Sequence, residues 1–78
     1  MPGKIPKDPD LKKMGAALRA RREALGISQA EVAGRCGMHA TFVAGVERGE
    51  RNVSYLTLLR IVTALETKIH LVLKNGDL

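Results

Sequence analysis

Arg48, Arg51 and Asn52 lie close together in the chain, and Thr41 and Gln29 precede them on segments of helical periodicity. Guanidinium and amide groups in such a cluster bind phosphate oxygens through charge-assisted hydrogen bonds. A threonine beside them adds a hydroxyl for a base edge and a methyl for a thymine methyl. The overall charge agrees: thirteen Lys and Arg against eight Asp and Glu give +5 over 78 residues, which suits a polyanionic partner. Other chemistries lack their residues. No paired carboxylates, nucleophile with a base, or phosphate-cradling glycine loop is present, so no catalytic residue and no enzymatic activity are expected. His39 reads as a cap or phosphate neighbour and His70 as a surface residue. The single cysteine, Cys36, forms no internal disulfide, and the spacing of His, Cys and acidic residues fits neither a metal nor a cofactor. A reducing, cytoplasmic setting is expected. No apolar run approaches membrane-spanning length, and Lys4 and Lys7 lead into Asp8, Pro9 and Asp10 rather than into a signal-peptide core.

These groups need elements to hold them. Asp8 before Pro9 marks a helix start, and Leu11, Met14, Leu18 and Leu25 form one apolar stripe that stops at Gly26. Arg22 falls on that stripe and therefore needs a buried partner, for which Glu47 is the expected one. Ser28 with Glu31 reads as a capping box opening a short second helix that ends at Gly37. His39 then caps a third helix carrying Val43, Val46 and Glu47 and closing at Gly49. Ser54 opens a fourth, apolar almost all round, which must be covered on more than one side. Beyond Glu66 the pattern changes: Ile69, Leu71 and Leu73 alternate with Lys68, His70, Val72 and Lys74, which predicts a strand.

Between Gln29 and Val46 the pattern is that of two crossed helices. Val32, Cys36, Met38, Val43 and Val46 face inward, Ala33 is small at the crossing, and Gly37 suits a tight turn. From Leu18 to Leu65 the chain resembles the Xre, or Cro/cI-like, helix-turn-helix regulators. The resemblance is carried by Leu25-Gly26-Ile27-Ser28-Gln29-Ala30-Glu31-Val32-Ala33 and by Val46-Glu47-Arg48-Gly49-Glu50-Arg51-Asn52. Within that family, Met38 to Gly49 is most similar to controller proteins of restriction–modification systems, although Ala40 and Phe42 stand where those carry arginine and tyrosine. The alternating C-terminus resembles HipB-type antitoxins instead.

The resulting expectation is an all-α, lambda-repressor-like bundle of about four helices with a short C-terminal dimerisation strand. Residues 1–7 would be a flexible arm, 8–66 the helix-turn-helix domain, and 67–78 the dimerising strand and tail, with Ile69, Leu71 and Leu73 at the interface of a homodimer. Double-stranded DNA would be the partner. Ala40, Thr41, Phe42 and Gly45 would face bases, Gly45 by allowing close backbone approach. Gln29, His39, Arg48, Arg51 and Asn52 would face phosphates, and Arg22 with Glu47 would form a structural ion pair, which the resemblance also implies. The alternative expectation is an antitoxin that binds a cognate toxin protein as well as its own operator.

Overall fold

The computed structural model describes residues 8–78, which form five helices: α1 Pro9–Leu25, α2 Gln29–Cys36, α3 Ala40–Glu47, α4 Tyr55–Ala64 and α5 Ile69–Asn75. The expected arm at residues 1–7 lies outside the described residues. Three helix starts are capped by side chains. Asp8 accepts from the Asp10 amide at 2.8 Å, Ser28 from Glu31 at 3.0 Å and Ser54 from Thr57 at 3.1 Å, each satisfying a donor that the first turn leaves free. The capping box at Ser28 is one-sided, because the Glu31 carboxylate turns to Arg35 at 3.2 Å.

Helix ends share one device. Gly26, Gly37 and Gly49 take φ of 70°, 69° and 76°. The amide that follows each of them reaches back five residues: Ile27 to the Arg22 carbonyl, Met38 to Ala33 and Glu50 to Gly45. Helix α4 ends in the same way, but with Glu66 at φ 57°, a conformation that costs a non-glycine residue about 1–2 kcal/mol. Arg21 braces that turn from α1, donating to the carbonyls of Leu65 at 2.9 Å and Glu66 at 3.1 Å.

The core draws on every helix: Met14 and Leu18 from α1, Val32 and Ala33 from α2, Val43 and Val46 from α3, Leu58, Ile61 and Val62 from α4, and Val72 from α5. The last of these corrects the expected strand. Residues 69–75 are helical, and Val72, which strand alternation would turn away from Ile69, is 2 % exposed. Ile69 and Val72 are three apart and share a helical face, whereas Leu71 and Leu73 point outward. A lone strand would leave a row of backbone groups unpaired, while a helix satisfies its own, as in the Val72 amide bonded to the Lys68 carbonyl at 3.1 Å. The fold is therefore all-α with five helices, and no strand occurs among the described residues.

Candidate nucleic-acid interface

Helices α2 and α3 pack on each other, with Ala33 small and 3 % exposed on α2 and Gly37 supplying the turn between them. Helix α1 backs the end of α3 at Gly15. A Cβ there would lie 2.3 Å from the Val46 carbonyl oxygen and 2.5 Å from that of Glu47, so only glycine admits this approach. Sequence reasoning missed Gly15; the small-residue run Gly15-Ala16-Ala17 inside an amphipathic helix was the available sign.

The C-terminal end of α3 is pinned by charge. Arg22 donates to Glu47 through Nε at 2.7 Å and Nη2 at 3.1 Å, and through Nη1 to the Ile27 carbonyl at 3.0 Å. Gln29 Nε2 donates to the same carboxylate at 2.9 Å. The Glu47 side chain is 5 % exposed and Arg22 13 %, so three helices meet at one nearly dry carboxylate. Hydrogen bonding to Glu47 raises the Arg22 pKa and keeps the guanidinium charged. Gln29, expected at a phosphate, thus directs its amide N–H inward. Gln29 nevertheless stands at the start of α2, where the first-turn backbone N–H groups lack intrahelical acceptors.

Along α3, Thr41 and Arg48 are exposed, as are His39 at the N-cap and Arg51 and Asn52 in the loop that follows. Ala40 and Phe42 are half-buried and pack against the core. Gly45, expected to let the backbone approach DNA closely, is buried under a side chain of the protein itself. A Cβ on Gly45 would sit 3.1 Å from Arg51 Cγ, so the Arg51 stem lies over this glycine. The Arg51 guanidinium carbon continues to 5.7 Å from the centroid of the Phe42 ring, a cation–π contact. Phe42 and Gly45 therefore seat an arginine. Arg48 in turn meets Glu50 at 2.9 Å.

Elsewhere, Ile69 packs half-buried on the core, while Leu71 and Leu73 are exposed together with Tyr55, Leu56 and Leu59 of α4. Cys36 is half-buried, donates to the Val32 carbonyl at 3.0 Å, and is pushed to a higher pKa by that burial, which makes it a poor nucleophile. Among the described residues no group of His, Cys, Asp and Glu could hold a metal ion, and no helix is long and apolar enough to cross a membrane.

Two short helices packed on each other, joined by a glycine turn and backed by a longer helix, define the helix-turn-helix class. The chain belongs to the helix-turn-helix domain family, which matches residues 13–73. It is 38 % identical over 52 residues to control protein C.SmaI of Serratia marcescens, a match covering 67 % of this chain and 62 % of that protein. Its structure is similar to that of the restriction-modification controller protein C.AhdI of Aeromonas hydrophila, with 42 % identity and a TM-score of 0.80 over 83 % of this chain and 98 % of the other. The clp gene regulator ClgR of Corynebacterium glutamicum aligns at 27 % identity and a TM-score of 0.86, covering 96 % and 94 %. The resemblance to HipB-type antitoxins depends on a C-terminal strand; with α5 in its place that basis is gone, and no toxin partner is supported.

Proposed function

We propose that this protein is a sequence-specific DNA-binding transcriptional regulator that acts as a homodimer on a pseudo-palindromic operator. The observation that carries the reading is the outer edge of α3. Thr41 stands exposed on it, and Arg48, Arg51 and Asn52 are exposed along its end and the following loop, all held by a helix locked from behind at Gly15 and Glu47. In this division of labour Thr41 reads base edges, with Phe42 and Ala40 bordering it, and the basic loop and His39 position the helix on phosphates. The naming of similar proteins as a control protein, a controller protein and a gene regulator supports the same reading.

Size and surface support a dimer. A domain of this length exposing Leu71, Leu73, Tyr55 and Leu56 gains stability by covering them with a second copy. Two recognition helices related by a twofold axis then enter successive major grooves about 34 Å apart. The test is selection of bound duplexes from a random pool, followed by titration of variants. Arg48→Ala and Arg51→Ala should weaken every duplex alike and each flatten the salt dependence of log K by about one unit, whereas Thr41→Ala should reorder preferences. Recovery of no enriched, symmetric sequence would defeat the reading.

A further inference from the structure

The one acidic residue of the loop after α3 stands among its cations. Gly49, at φ 76°, ends α3, and the Glu50 amide returns to the Gly45 carbonyl at 2.9 Å. This turn is wedged against α1, since a Cβ on Gly49 would lie 2.7 Å from the Lys12 Cα. The wedge directs Glu50 back onto Arg48, whose Nη2 lies 2.9 Å from Glu50 Oε1. The Arg48 hydrogen bond, with smaller contributions from the charges of Arg51 and Lys12, holds the pKa of this carboxylate below its ordinary value. An exposed pair of this kind contributes little to folding. Its consequence falls on binding, because a carboxylate oxygen and a phosphate oxygen compete for the same guanidinium N–H.

We propose that Glu50 is a positioning residue that stands in for a DNA phosphate on Arg48 in the unbound protein, and is displaced when DNA binds. The inference rests on the reading of Arg48 as a phosphate contact. Glu50 then occupies the Arg48 N–H group that a phosphate would take, and lowers the affinity of the loop for any duplex. It tempers binding to DNA at large without touching Thr41. Glu23 pairs with Arg19 along α1 in a similarly exposed ion pair, and provides a charge-matched control.

The experiment is fluorescence anisotropy of the full chain on a mixed-sequence duplex of roughly three helical turns, at low and moderate salt. Parent, E50Q, R48A, the double variant and E23Q are compared, with thermal melts to verify folding. E50Q should bind about 5–10-fold tighter at low salt and steepen the salt slope by about one unit, while E23Q, with the same change in net charge, should gain less than about twofold. R48A should then cost about threefold in the parent but roughly tenfold or more in the E50Q background, a coupling that bulk charge does not produce. Equal gains from E50Q and E23Q, an equal R48A loss in both backgrounds, or weaker binding by E50Q would overturn the proposal. Absence of any R48A loss in either background would instead overturn the phosphate assignment on which it rests.

Discussion

Arg22 meets Glu47 through two parallel hydrogen bonds, 2.7 and 3.1 Å long, between α1 and the last turn of α3. With 5 % of the Glu47 side chain exposed, removing Arg22 strands a carboxylate whose remaining side-chain partner is the neutral amide of Gln29. Arg22→Met should destabilise the domain by about 3–5 kcal/mol, enough to unfold much of it at 25 °C. Glu47→Gln keeps an acceptor and should cost less, about 1–3 kcal/mol. Urea melts followed by circular dichroism decide it, and parent-like midpoints for both variants would show that the pair carries no stability.

Two glycines in regular helix should respond in opposite directions to the same substitution. At Gly15 a methyl group collides with the backbone oxygens of Val46 and Glu47, which belong to a packed helix end and have no room to yield. Gly15→Ala should cost about 3 kcal/mol or more, at or above the usual range for overpacking. At Gly34, on the exposed side of α2, nothing lies within 4 Å of the added carbon. Gly34→Ala should therefore stabilise by about 0.5–1 kcal/mol, through the lower backbone entropy of alanine in the unfolded chain. Thermal melts of the two variants moving in the same direction would contradict this account.

The same contrast separates what the sequence made legible from what it did not. Helix boundaries are written at single residues whose chemistry acts locally: Pro9, Ser28 and Ser54 at starts, Gly26, Gly37 and Gly49 at ends. The inward positions of α2 and α3 follow from spacing alone, and a cation on the α1 stripe points to its own partner. Helix α5 carries such a mark only at its end, at Gly76, since Lys68 caps its start without a side-chain bond and Glu66 closes α4 in a conformation usually left to glycine. Its apolar alternation fits both periods, and only packing on α1 and α4 decides between them. Gly15, the seat of Arg51 on Gly45, and the inward turn of Gln29 depend on which elements meet, which spacing along one element does not contain.

Helix α5 also yields a test of self-association. Leu71 is 39 % exposed and its neighbour Val72 is 2 % exposed, so adjacent substitutions should have unlike effects. If the proposed dimer forms through this face, Leu71→Lys should convert it to monomer in sedimentation while leaving the helical signal in place, and should weaken DNA binding by removing the proposed second half-site contact. Val72→Lys buries an ammonium in the hydrophobic core cluster and should unfold the domain outright. An intact dimer for Leu71→Lys would move the interface to Tyr55 and Leu56 on α4.

Gly45 sets stability against binding at one position. Its backbone is helical, so replacing it by alanine should gain about 0.5–1 kcal/mol of stability. The atoms nearest the new methyl group all belong to the Arg51 side chain, at 3.1 Å for Cγ and 3.4 Å for Nε, and that flexible chain moves aside at small cost. Moving aside takes the guanidinium off the Phe42 ring, where it now rests 5.7 Å from the centroid, and returns it to a wider set of rotamers. If the seat preorganises Arg51 for DNA, Gly45→Ala should melt higher than the parent and yet bind every duplex several-fold more weakly. The loss should disappear in an Arg51→Ala background, since no seat is then left to disturb. Unchanged affinity in the more stable variant would show that Arg51 reaches DNA equally well from any starting position, and that Gly45 serves packing alone.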